Sequence, residues 1–139
     1  MPYKYENENK NITPEEAWLN ENFQRNVISE CLYSNINMSE SDIIIISDLD
    51  EICNPNILYN IKEGSISVDI NALEMDLYYY NLNTFIPIKW RRAKIMSYKK
   101  YKESNKNFTD IRLQYYPSIL SGGWHLPHEY DKYLKKYYK

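Results

Sequence analysis

The chain has 139 residues, of which 43% are hydrophobic and 26% charged, and its 17 basic and 19 acidic side chains leave a formal net charge of −2. That length suits one domain with a real core, and the near-neutral balance excludes general nucleic-acid binding. The longest apolar run is far shorter than the roughly 18 residues of a membrane span, and Cys31 and Cys53 lack metal-type spacing and read as free thiols.

Charge is uneven along the chain. Residues 1–88 carry 4 basic and 15 acidic side chains, a net −11, and residues 89–139 carry 13 and 4, a net +9. Such a split serves a site that offers acids to a metal and bases to phosphates; equally, the two halves neutralise each other across the fold. No apolar segment follows a basic start, so no signal peptide is expected; a soluble cytoplasmic chain is the default and the location itself stays unassigned.

Residues 1–12 form a polar arm rich in Asn, Glu and Lys. Order begins at Thr13-Pro14-Glu15-Glu16, where a cap hydroxyl, a proline at the first helical position and a glutamate three residues after the cap make a capping box. The helix this starts runs to about Tyr33. Leu19, Phe23, Val27 and Cys31, with Ile28 and Leu32, form an apolar stripe expected to face the sheet. Trp18, Asn22, Arg25, Asn26 and Ser29 occupy a second face, read either as a nucleotide or diphosphate contact or as a surface on which Arg25 makes salt bridges.

Ile43-Ile44-Ile45-Ile46 reads as a strand buried on both faces in the middle of a parallel sheet, since a half-solvated strand would alternate. It runs into Asp48-Leu49-Asp50-Glu51. Three carboxylates in four residues repel unless a cation or a polyhydroxylated ligand sits among them, and in open α/β sheets ligands bind at this end of the strands. Three readings stand: solvated loop acids, a divalent-metal site for a nucleotide diphosphate, or a phosphatase of the haloacid-dehalogenase type.

Asn54-Pro55 repeats the cap-plus-proline signal for a short helix through Leu58 and Ile61, ended by Gly64. Residues 68–82 alternate: Leu73, Met75, Leu77 and Tyr79 point one way, and Glu74, Asp76, Tyr78 and Tyr80 the other. The second face pairs acids with tyrosines, a common arrangement for holding a sugar and also an ordinary solvated face. Trp90 to Met96 reads as a short strand leaving a basic turn, Lys99 to Phe108 as a lysine-rich loop, and Ile111 to Tyr116 as a strand halted by Pro117. Gly122-Gly123 permits a close backbone turn beside a ligand. Residues 126–139 form a basic, tyrosine-rich tail able to make a short amphipathic helix.

Taken together, Ala17-Trp18-Leu19-Asn20-Glu21-Asn22-Phe23-Gln24-Arg25-Asn26, Ile45 to Ile52 with Asn54-Pro55, Met75 to Asn83 and Ser121-Gly122-Gly123-Trp124-His125 resemble glycosyltransferase family 17, the β-1,4-mannosyl-glycoprotein β-1,4-N-acetylglucosaminyltransferases. The blocks stand in the family's order and are jointly far more specific than an Asp-x-Asp pair; Cys53 stands where the family commonly has proline. The resemblance implies an α/β fold, a partial GT-A-like nucleotide-sugar transferase domain over residues 13–125, with a mostly parallel central sheet flanked by helices. No apolar strand precedes the first helix, so the family's opening βαβ unit is expected to be missing from these residues. A shortened or fragmentary member is therefore expected, with Ile43–Ile46 lacking a neighbour and the chain either self-associating or needing a complementary segment.

The resemblance further implies a metal-dependent inverting enzyme that moves N-acetylglucosamine from UDP-N-acetylglucosamine to a glycan acceptor, a β-mannosyl residue of an N-glycan. Mn²⁺ or Mg²⁺ would be held by Asp48, Asp50 and His125; Asp48, Arg25, Asn22 and Trp124 would contact the donor; Asp76 would take the acceptor hydroxyl's proton, with Glu74 and Glu51 as alternatives. The phosphatase reading needs an adjacent acid pair downstream, which the C-terminal half lacks. A fragment that is inactive or binds sugar nucleotide without turnover remains the other alternative.

Overall fold

The computed structural model describes residues 13–127 apart from 36, 80 and 81. The arm over residues 1–12, all but the first two residues of the tail and the expected placement of Tyr80 lie outside them. The first helix, α1 (Pro14–Asn35), starts as the capping box requires: the Thr13 amide donates to Glu16 Oε2 (2.9 Å) and the Glu16 amide to Thr13 Oγ1 (3.2 Å).

Its orientation reverses the expected one except at Leu32, which packs against the core. Leu19, Phe23, Val27 and Ile28 are 38–55% exposed and Cys31 is exposed, whereas Ser29 is buried. The amide-bearing face points inward because it finds polar partners there. Asn26 Oδ1 accepts the Thr109 amide (3.3 Å), the Asn22 carbonyl accepts the Thr109 hydroxyl (3.4 Å), and the buried Tyr101 hydroxyl donates to the Ser29 carbonyl (3.1 Å). Helical periodicity yields two stripes, and the partner decides which is buried.

A six-stranded sheet follows, with β1 (Ile43–Ile46), β2 (Glu51–Cys53), β3 (Ile70–Tyr78), β4 (Phe85–Trp90), β5 (Lys94–Ser97) and β6 (Ser118–His125). The path runs β1-β5-β3-β6-β2, with β4 also on β3. The sheet is mostly antiparallel, correcting the expected parallel one: only β3 and β6 run parallel. The six residues between β3 and β4 are too few for a parallel crossover and join antiparallel neighbours, β5 follows β4 along the same edge of β3, and the one parallel pair is reached by a long crossover through two helices. Nor is β1 central. It pairs only with β5 among the described residues, and alternates, with Ile44 and Ile46 buried and Ile43 and Ile45 exposed. Four isoleucines in a row therefore mark a half-covered edge strand.

Between β2 and β3 lies α2 (Pro55–Lys62), capped by Asn54, whose side chain accepts from the Asn56 amide; Gly64 follows at φ 76°. Two further helices replace the expected loop and strand. The first, α3 (Tyr98–Ser104), is capped by Ser97 and closed by Asn105 at φ 50°, and α4 (Phe108–Leu113) is capped by Asn107, which accepts from the Asp110 amide. Tyr101 and Ile111, inside the two segments misread, are fully buried and join Ile44, Ile46, Met96, Tyr98 and Phe108 in one cluster. A second cluster of Ile57, Leu73, Met75, Ala93 and Ile95 lies under α2, so consecutive Ile95 and Met96 serve opposite faces. Burying each such side chain contributes about 1.5–3 kcal/mol.

Gly122 and Gly123 lie inside β6 and make no turn, which corrects the expectation of a glycine turn beside a ligand. A Cβ on Gly123 (φ 149°) would stand 2.0 Å from the Ile52 carbonyl oxygen, and one on Gly122 2.9 Å from the β3 backbone at Leu73 and Glu74. The pair therefore lets β6 pass close to both neighbours just where its register with β3 shifts. Ser121 beside them adopts φ 55°, and its carbonyl accepts the Asn54 side-chain amide (3.0 Å).

Candidate functional site

The link between β1 and β2 folds the acids into a compact turn. The Glu51 amide donates to the Asp48 carbonyl (3.1 Å), and the Asp48 amide to Glu51 Oε2 (2.8 Å). Glu51 is 4% exposed and receives the Arg112 guanidinium on both oxygens, Nη1 to Oε2 at 2.8 Å and Nη2 to Oε1 at 2.7 Å, together with the Trp90 indole N–H. Burial pushes its carboxyl up, but the Arg112 pair, the Trp90 bond and the Asp48 amide outweigh it and hold Glu51 below the usual carboxylate range. Burial alone would lower Arg112; the bonds to Glu51 and the charge of Asp48 raise it instead.

Asp48 is clamped between two arginines. Arg25 of α1, which also pairs with Glu21 one turn back, reaches Oδ1 (2.7 Å), and Arg112 of α4 reaches Oδ2. Asp50 turns the other way, with Oδ2 3.4 Å from Nε2 of the buried His125. The His125 hydrogen bond lowers the Asp50 carboxyl against the opposing effect of burial. His125 is held by its register with Glu51 across β2 and β6 and by stacking on Trp90 (centroids 4.3 Å apart, 26° between planes).

A cleft of about 380 Å³ opens over this turn, walled by Trp18, Asn22 and Arg25 of α1, by Asp48 and Trp90, and by Arg92 and Arg112. Three residues of the second face of α1 thus line this cleft, together with the first acid of the turn. Three planar guanidiniums on one cleft match an anion with several oxygens, because each fork can donate two parallel bonds. A second cleft of about 280 Å³ adjoins it, sharing Trp90, Arg92 and Leu113 and adding Lys89, Arg91, Lys94 and Tyr115. Lys94 is buried there and donates to the Arg91, Arg92 and Arg112 carbonyls, the last near the end of α4. Burial, with the charges of Arg112 and Arg92, pushes its ammonium down to about 8.

Other residues singled out from the sequence fall elsewhere. In β6, His125 is in register with Leu77 and Trp124 with Asp76, so Asp76 and Trp124 stand on the opposite side of the sheet from the His125–Asp50 pair. Alternation along β3 places Glu74 and Asp76 with Ala72, a wall residue of the second cleft, and their partners Arg91 and Lys89 also line it. Trp124 is not among the residues lining either cleft. Glu51 is the only one of the three carboxylates named for proton removal that joins the acid turn, and both its oxygens are engaged.

The sequence does not single out Arg112, Trp90 or Arg92, since it suggests a strand around Arg112 and, over Trp90 to Met96, a short strand leaving a basic turn. The signal available was the excess of base in residues 89–139. Ion pairs of Arg112 with Asp48 and Glu51, of Lys89 with Asp76 and of Arg91 with Glu74 show the two halves neutralising each other in part.

Among the described residues no three or more His, Cys, Asp or Glu side chains are grouped to hold a metal ion. Asp50 and His125 do stand together, and a carboxylate with an imidazole is a donor set that Mn²⁺ or Mg²⁺ accepts when substrate phosphates supply further oxygens. No helix of the described residues is long and apolar enough to cross a membrane.

Compared with known proteins, residues 1–135 match the model of glycosyltransferase family 17. No curated protein and no solved structure matches.

Proposed function

Because this chain belongs to glycosyltransferase family 17, we propose that its arginine-walled cleft receives the diphosphate of a nucleotide-sugar donor, UDP-N-acetylglucosamine, for transfer with inversion to the β-mannosyl residue of a glycan. The observation that carries this reading is the convergence of Arg25 and Arg112 on one cleft that Asp48 also lines, while Asp50 and His125 pair at the same acid turn but line neither cleft. Arg25 and Arg112 already stand oriented by Asp48 and Glu51, so they offer their remaining N–H groups to phosphate at little further cost in rotamer freedom. Trp18 and Trp90 supply flat apolar walls against which a base or sugar ring can lie.

Asp50 and His125 are the residues that would hold Mn²⁺ or Mg²⁺, while Asp48, with one oxygen on Arg25 and the other on Arg112, keeps those arginines in place. A divalent ion there would act as a Lewis acid on the departing diphosphate. Glu51 serves to fix Arg112 and leaves proton removal to others. Asp76 and Glu74 stand across the sheet from the Asp50–His125 pair and hold Lys89 and Arg91, so proton removal is assigned to neither.

The test is titration calorimetry of the full chain with UDP, with and without Mn²⁺. Mn²⁺ should tighten UDP binding, and Asp50→Asn should remove that gain while leaving the circular dichroism unchanged, since it takes charge from a turn and no volume from the core. Equal affinity for UDP with and without Mn²⁺ in the unmutated chain would defeat the metal reading.

A further inference from the structure

The two clefts differ in how their cations are balanced. Around the first, Arg25 faces Glu21 and Asp48, and Arg112 faces Glu51 and Asp48. Around the second, Lys89 faces Asp76 and Arg91 faces Glu74. Arg92, on the wall common to both, pairs with no carboxylate among the described residues, and its guanidinium donates only to the Leu113 carbonyl at 3.3 Å. Beside it Lys94 is held by carbonyl oxygens alone. A half-buried guanidinium that pairs with no carboxylate among the described residues, next to a buried ammonium, makes a positive potential on this wall of the cleft.

The same cleft carries an exposed aromatic ring. Tyr115 is 87% exposed and follows the end of α4 on the cleft wall, with Gln114 beside it. A tyrosine ring held out to solvent is suited to the apolar side of a pyranose, and Gln114, whose Oε1 accepts from Lys106 (2.6 Å) and the Tyr116 hydroxyl (3.1 Å), has its N–H groups to offer to sugar oxygens. Cation, amide and ring thus line one pocket of about 280 Å³, the size of a single sugar unit or two.

We propose that the second cleft is an acceptor subsite selective for a sugar bearing an anionic group, a carboxylate or a phosphate, with Arg92 on the charge and the Tyr115 ring on the sugar face. This rests on the transferase reading above and narrows its acceptor: the glycan carries an acidic group close to the residue that is modified. Placing the anion on Arg92 also explains why this arginine lies at the junction of the two clefts, where it can sense an acceptor next to the donor.

Calorimetry of the full chain with methyl β-glucuronide, glucose 6-phosphate and neutral methyl β-glucoside, each with and without UDP, tests the assignment. At least one anionic sugar should bind about tenfold tighter than the neutral one, the range expected for a hydrogen bond to a charged group. UDP should not displace it, and the tighter of the two anionic sugars tells carboxylate from phosphate. Arg92→Gln should abolish the preference for charge, and Tyr115→Ala, a change at an exposed position, should weaken all three. Equal binding of neutral and anionic sugars, displacement by UDP, or a preference that survives Arg92→Gln would each overturn the assignment. Should UDP itself fail to bind, the donor reading falls alone, because the Arg92-dependent preference is measured without UDP as well.

Discussion

Replacing Glu51 by Gln probes the contact on which the arginine cleft depends. Glu51 as a residue is 4% exposed and its partner Arg112 5% exposed, so water does little to screen the pair. Gln keeps the volume and an acceptor for the Trp90 indole, but its amide nitrogen meets a guanidinium that needs acceptors. Removing one partner of a buried ion pair costs about 3–5 kcal/mol, and because Asp48 still faces Arg112 the cost should fall at the lower end, about 3 kcal/mol. For a chain of this size that is a drop in Tm of about 10 °C at neutral pH.

The pH dependence follows from the sign of the shift. Glu51 is held below its ordinary value of 4.5 in the folded chain, so its contribution to stability is complete above that value and is lost as pH falls through the folded pKa. Thermal melts followed by circular dichroism from neutral to acid pH should therefore show the unmutated chain losing its advantage over Glu51→Gln as the solution is acidified below about 4.5. Equal melting temperatures at neutral pH, or a gap that widens on acidification, would refute the argument that Glu51 anchors Arg112.

Gly123→Ala should destabilise the chain by more than about 3 kcal/mol, because its Cβ would stand 2.0 Å from a β2 carbonyl at a φ that side chains rarely adopt. A denaturation midpoint within about 0.5 kcal/mol of the unmutated chain would contradict that packing. On α1, Leu19, Phe23 and Ile28 are 51%, 46% and 55% exposed and should drive concentration-dependent association in sedimentation, which Phe23→Glu should reduce without loss of helix. A chain that sediments as a monomer at every concentration would count against it.

Much that is local was legible in the residues themselves. The capping box at Thr13, the cap at Asn54, the positive φ after α2 and the alternation of Leu73, Met75 and Leu77 each follow from interactions within a few positions of the chain, and each is found. The acid turn and the lining role of Trp18, Asn22 and Arg25 were also marked, because amides and an arginine on one helical stripe are unusual for a solvated face. The capping residues Ser97 and Asn107 were equally present in the sequence, but lysine-rich and tyrosine-rich segments hid the helices they begin.

What tertiary structure alone decided is direction and pairing. Four isoleucines specify burial without saying on how many sides, and β1 became an edge because β5 is its one partner among the described residues. Two stripes on α1 were both coherent, and the polar one turned inward because Ser29, Asn26 and Asn22 meet Tyr101 and Thr109, more than 70 residues away. Likewise Glu51 reads as an available base until Arg112, 61 residues on, closes over both its oxygens. Local energies set the elements, but the partner that satisfies a buried charge or amide comes from a distant segment, and only the folded chain brings the two together.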